Sequence, residues 1–105
     1  MIYKYDLDTE LNKEKGFYQA KLTIPFAARF LDVQQQHSQF GVGMKGWFHV
    51  LPTHVNSIHD FTFSFVPTGM DPDDSWNNYK KTIQLENGII LHVYIEEEIR
   101  LKDKQ

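Results

Sequence analysis

Between Phe61 and Phe65 every second residue is a phenylalanine, with Thr62 and Ser64 in between. A strand turns successive side chains to opposite faces, so this pattern buries one face and leaves the other polar. A helix would need its apolar residues at intervals of three and four. The same period of two recurs along the chain. Ile2 to Leu7 puts Tyr3, Tyr5 and Leu7 on one face. Tyr18, Ala20, Leu22 and Ile24 alternate with Gln19, Lys21 and Thr23, and Pro25 stops that strand or marks an edge. Trp47 to Leu51, closed by Pro52, and Tyr79 to Leu85 read as strands too. From Ile89 to Glu96, Ile89, Leu91, Val93 and Ile95 share one face while Ile90, His92 and Tyr94 share the other. Both faces are apolar or aromatic, which suits a central strand.

Residues 27–36 read in two ways. Ala27, Ala28, Phe30, Leu31 and Gln34 fit about two helical turns. Arg29, Leu31, Val33 and Gln35 equally fit one face of a strand. Pro25 and Phe26 offer no N-cap, so the strand is favoured. Between the strands, Asp8 to Gly16 reads as a charged connector and Thr53 to Asp60 as a polar loop. His37 to Gly46, with Gly41, Gly43 and Gly46, reads as a hairpin loop. Pro67 to Asn78 is the most turn-rich stretch. Glu86-Asn87-Gly88 predicts a hairpin in which both Asn87 and Gly88 take positive φ. Residues 97–105 are charged and predict a frayed end or a short helix.

These elements predict an all-β chain: a compact antiparallel β-sandwich or partly open barrel of about seven strands with little helix. A length of 105 residues suits one domain. Residues 1–98 form it, with a charged tail over residues 99–105. Eight Phe, five Tyr and two Trp supply ample core material. The chain has no cysteine, which excludes disulfides, thiolate metal sites and thiol catalysis.

Charge and motifs narrow the function. Eleven basic and fourteen acidic residues leave a formal charge of −3, and Arg29 and Arg100 are the only arginines. Nucleic-acid modules draw their affinity from phosphate neutralisation, so general nucleic-acid binding is disfavoured. No apolar run is long enough to span a bilayer, and the first residues lack a secretion signal's apolar centre. The expected location is the cytoplasm.

His37, His49, His54, His59 and His92 invite a metal site, but His49, His54 and His59 straddle Pro52 and no regular element aligns them. Asp71, Asp73, Ser75 and Asn77 resemble the opening of a calcium loop. Trp76 and Thr82 then stand where such a loop needs Gly and Glu, so solvated turn acids explain the pattern better. No serine lies in a nucleophile elbow, and the glycines at 41, 43 and 46 precede no phosphate-cradling helix. Glu96, Glu97 and Glu98 run consecutively rather than facing across a cleft. Neither an enzyme nor a cofactor is expected.

What remains is apolar material in loops: Phe40 and Met44 in the glycine-rich stretch, Met70 and Trp76 in the acidic one. Such residues are enriched at recognition surfaces. They also serve as lids folded over the open ends of a sandwich, the leading reading for Phe40 and narrowly for Trp76. Unprotected edge strands often pair with a second copy, so a homo-oligomer is expected as well.

Several short segments, taken in order, resemble a family of short proteins of tailed phages and prophages. They are Ile2-Tyr3-Lys4-Tyr5, Pro25 with Leu31-Asp32-Val33-Gln34-Gln35, Trp47 to Pro52, Phe65 to Gly69, Thr82-Ile83-Gln84-Leu85 and Leu91-His92-Val93-Tyr94. The loops Asp8 to Lys15, Gln36 to Gly46 and Thr53 to Asp60 are longer than in that family. The resemblance implies an all-β phage protein working in the cytoplasm of an infected bacterium, and it carries no activity. Trp47 and His92 match family positions and are expected to serve packing. The resulting expectation is an accessory protein that acts by binding, as a counter-defence inhibitor of a host protein or as a sponge for a nucleotide immune signal. A virion structural or assembly component, or a homo-oligomeric scaffold, is the alternative. For a nucleotide-like ligand the candidates are Arg29, Lys45, Lys80 and Lys81 with Tyr79 or Trp76; Phe40 and Met70 complete the candidate surface.

Overall fold

The computed structural model describes residues 1–38, 41–53 and 56–102. Among the described residues eight strands follow one another: β1 (Ile2–Leu7), β2 (Glu10–Asn12), β3 (Phe17–Ile24), β4 (Ala27–Ser38), β5 (Gly41–Leu51), β6 (Ser57–Pro67), β7 (Tyr79–Gln84) and β8 (Ile90–Leu101). One short 3-10 helix, Asp73–Asn78, precedes β7. The strands form two antiparallel sheets, one in the order β1-β5-β4 and the other in the order β2-β3-β6-β8-β7. The architecture is an open β-sandwich, all-β as the alternation requires.

The core lies between the sheets. Ala20 and Ile24 of β3, Phe61, Phe63 and Phe65 of β6, and Val93 and Ile95 of β8 face Leu7, Val33, Phe48 and Val50 of the smaller sheet. Phe48 is the hub: its ring meets Tyr5, Phe30, Phe61 and Phe63 at centroid distances of 4.7 to 6.2 Å. Most of these pairs are edge-on or tilted, the arrangement ring quadrupoles favour.

Four stretches differ from the sequence expectation. The supposed hairpin loop over residues 37–46 is largely strand, because β5 begins at Gly41 and carries Gly43 and Gly46 in its ladder with β4. Gly46 is there for space: a Cβ would sit 3.0 Å from the Phe48 ring. The charged connector contains β2, which pairs Leu11 with Tyr18 and makes the strand count eight. The polar loop ends early, since β6 starts at Ser57. The charged tail is strand through Leu101, because β6 offers the opposing ladder from Ser57 to Asp60. A run of three glutamates is a poor strand on its own; the neighbouring backbone decides it.

β4 is a strand as favoured, but its face is interrupted. The ladder with β5 slips between Phe30 and Asp32, so Ala28 and Phe30 turn inward before the bulge and Val33 after it. Arg29 and Leu31 therefore do not share a face with buried Val33. The hairpin at Glu86-Asn87-Gly88 forms with a different turn. Gly88 takes φ +86°, while Asp73 is the only described non-glycine residue at positive φ, so Asn87 does not. Gly88 N–H donates to Leu85 O at 2.9 Å and Leu85 N–H to Ile89 O at 2.8 Å. This is the three-residue loop with a left-handed glycine, in place of a two-residue mirror turn.

Candidate functional site

The outer face of the larger sheet carries the even-numbered residues of β6 and β8. Ser64, Tyr94 and Gln19 lie in register there, as do Val66 and His92. Phe17 and Val66 are buried although neither belongs to the inter-sheet core. Residues 68–78 return over this face. Ser75, itself buried, donates through Oγ to Glu96 Oε1 at 2.7 Å, and Lys15 Nζ lies 3.9 Å from Asp73. A Cβ on Gly16 would meet Met70 Cε at 3.1 Å, so Met70 rests against the start of β3. Asp71 Oδ1 accepts the backbone N–H of Asp73 at 2.8 Å, so this acid builds the turn.

This anchoring presents two aromatic side chains. Trp76 projects from the 3-10 helix 65% exposed, so the lid expectation fails for it. Ser75, one residue earlier in the helix, takes the buried position instead. Tyr79 opens β7 at 51% exposure and packs edge-on against Tyr94, centroids 5.7 Å apart. Its hydroxyl shares a 2.7 Å hydrogen bond with Thr82 Oγ1. Thr82 Oγ1 lies 2.9 Å from His92 Nδ1, and Thr68 Oγ1 lies 2.8 Å from His92 Nε2. The chain Tyr79–Thr82–His92–Thr68 thus fixes the orientation of an exposed ring. His92 works as a link in this chain on the outer face rather than as packing in the core. Ile90, at 43% exposure, extends the surface along β8.

Arg29, Lys45 and Lys81 do not join it. Arg29 lies on the other sheet, in a depression of about 200 Å³ lined also by His49 and Leu51. Lys45 pairs with Asp6 across β5 and β1. Lys81 reaches Asp32 Oδ1 at 2.6 Å, tying the edge of one sheet to the edge of the other. Lys80 is exposed on β7. Phe40 lies outside the described residues, and so does His54. Trp76 and Tyr79 are thus both exposed at the approach to β7, while Arg29 and Lys45 lie on the other sheet.

Several carboxyls titrate below their ordinary range. Hydrogen bonds from Arg100 and then Thr23 lower Asp60. A hydrogen bond from Lys45 and its charge lower Asp6. Burial is the largest influence on Asp32 and pushes it up, but hydrogen bonds from Lys81, Gln34 and the Val33 N–H together outweigh it, and Asp32 is lowered. Burial, and then the neighbouring Tyr3, raises Tyr5. Of the remaining histidines, His59 is buried and stacked on Phe61 at 4.2 Å, His49 is exposed on β5, and His37 pairs with Glu86. Among the described residues no three His, Asp or Glu side chains gather as a metal-ligand set.

The fold and this surface define an antiparallel β-sandwich with two exposed aromatic side chains, Trp76 and Tyr79, beside its larger sheet. No family model, no curated protein and no solved structure matches the chain. No helix among the described residues is long and apolar enough to cross a membrane.

Proposed function

We propose that this is a phage-encoded accessory protein that works by binding, with a host protein as its target, in the cytoplasm of the infected bacterium. The observation that carries the binding role is the pair of exposed rings, Trp76 and Tyr79, on a segment anchored at Ser75 and braced through Thr82 and His92. Trp and Tyr lose little conformational entropy on contact and dominate interface hot spots. A preformed ring costs less still to immobilise. The phage setting rests on the sequence segments that resemble tailed-phage proteins. Counter-defence is the role that fits a binding protein in that setting.

A protein target is preferred over a nucleotide signal because the cations needed for a phosphate are dispersed, with Lys45 and Lys81 engaged by Asp6 and Asp32. The depression beside Lys81, about 460 Å³, is lined mainly by neutral polar groups and Glu86. The test is affinity capture from the bacterial host with wild-type and Trp76→Ala proteins as bait. The expected result is a host protein retained by the first and lost from the second, confirmed with purified components. A thermal shift with cyclic dinucleotides or cyclic ADP-ribose isomers, left intact in Trp76→Ala, would replace this reading with the sponge.

A further inference from the structure

β7 covers only the first part of β8. Its ladder runs from Gln84–Ile90 to Tyr79–Tyr94 and ends there. On its other side β8 stays paired with β6 as far as Ser57–Leu101. Residues 96 to 101 are all exposed, including Ile99 at 66% and Leu101 at 79%. Among the described residues no strand pairs with this half of β8 on the β7 side, so it is an open edge.

The backbone direction along this edge follows from two hydrogen bonds. Leu85 N–H donates to Ile89 O, which places the odd-numbered residues of β8 in the ladder toward β7. Lys102 N–H donates to Asn56 O, which places the even-numbered ones toward β6. Past Tyr94 the odd residues Glu97, Ile99 and Leu101 therefore aim N–H and C=O outward. Natural edges carry charge that repels unwanted partners, and Glu96, Glu97 and Glu98 do this here. Whatever pairs with the edge has to answer that charge.

We propose that the partner is a second copy of this chain, joined antiparallel along β8 about a two-fold axis at Ile99. A symmetric antiparallel pair sets each residue opposite one whose number completes a fixed sum. Centred on Glu97 or Glu98, the pair opposes that glutamate to itself. Centred on Arg100, it opposes two arginines. Like charges directly opposite are destabilising. Centred on Ile99, Glu98 faces the partner's Arg100 and Ile99 packs on the partner's Ile99. Glu96 falls opposite the partner's Lys102, just past the end of β8; to reach it, the lysine Nζ would have to swing from its place 5.7 Å over the Phe26 ring. Glu97 faces the partner's Leu101. The outward residues Glu97, Ile99 and Leu101 then exchange backbone hydrogen bonds with the partner's Leu101, Ile99 and Glu97. Arg100 holds Asp60 of its own chain through Nε at 2.6 Å and Nη2 at 3.3 Å. A guanidinium has five N–H donors, so the contact with the partner's Glu98 does not require that bond to break. The result is one continuous sheet through both protomers, along an edge that begins beside the 3-10 helix held at Glu96.

Sedimentation of the full chain from low to high micromolar concentration is the first measurement, with an expected mass near twice 12.4 kDa. A chain that stays monomeric overturns the proposal, and one that instead takes up a basic extended peptide along β8 gives the edge to another protein. Ile99→Pro removes an outward N–H without touching the ladder to β6. It is expected to sediment as a monomer with an unchanged circular dichroism spectrum. A folded Ile99→Pro that remains dimeric overturns the proposal. The chain has no cysteine, so single-cysteine variants read the register and do not depend on the proline variant folding. Opposed residues of a hydrogen-bonded pair lie about 5.5 Å apart at Cα, inside the disulfide range of roughly 4.4–6.8 Å. Ile99→Cys should cross-link to a dimer under mild oxidation. Leu101→Cys, about 13 Å from its copy at 3.3 Å per residue, should not. Equal cross-linking of both, or of neither, overturns the Ile99-centred register.

Discussion

Phe48 shows what one residue contributes here. It is fully buried and four rings touch it, so Phe48→Ala leaves a cavity that both sheets border. We expect a loss of about 3–5 kcal/mol, read from the urea midpoint with an unchanged slope. Gly46 leaves room for that ring, and Gly46→Ala would press on it, with a Cβ 3.0 Å from Phe48 Cε2. Gly88 is a different case: its φ is +86° and a Cβ there would meet nothing within 4 Å, so only backbone strain is at stake. Gly88→Ala should cost about 1–2 kcal/mol in the same assay, with no change at the core. Trp76 has the opposite profile. Trp76→Ala should leave thermal stability within about 0.5 kcal/mol while abolishing partner binding.

At the scale of elements, the alternating runs were legible because burial on one face alone dictates period two. β1, β3, β7 and the Phe-rich part of β6 follow that rule. β2, the extension of β8 and the glycine-bearing half of β5 do not, since each is held by a neighbour's ladder rather than by its own pattern. The 3-10 helix belongs with these. Its composition announces a turn, but which of Ser75 and Trp76 points inward depends on Glu96, which lies on another strand. Ser75→Ala leaves Glu96 without this donor and loosens the helix. The expected sign is faster amide exchange over residues 73–79, with the core strands unchanged. Tyr79 and Trp76 are visible candidates in the sequence, whereas His92 there suggests only packing. Its link to Thr68 and Thr82 exists only once three separated segments converge.

Across the whole molecule, acid sensitivity follows from carboxylates that tie the framework together. Asp60 joins β6 to β3 and β8, Asp6 joins β1 to β5, and Asp32 joins the two sheets through Lys81. All three are lowered in the folded state. A lowered folded value means that the unfolded chain binds protons first, so the stabilisation is complete above the unfolded value of 3.8 and is lost as pH falls below it. Urea midpoints measured from pH 6 downward should hold steady and then drop below about pH 4. Asp60→Asn should flatten part of that drop. Lys81→Met tests the tie between sheet edges; a partly exposed pair of this kind is worth about 0–1 kcal/mol.

By itself, the sequence determined that this chain builds sheets and which side chains feed the core, because alternation is a local consequence of strand geometry. It also supplied the aromatic candidates. Only the tertiary structure decided that two strands continue through glycine and glutamate, that Trp76 faces solvent, and that Arg29 and Lys45 lie apart from it. Those outcomes depend on hydrogen-bond partners and charges from distant segments, and no window of neighbouring residues contains them.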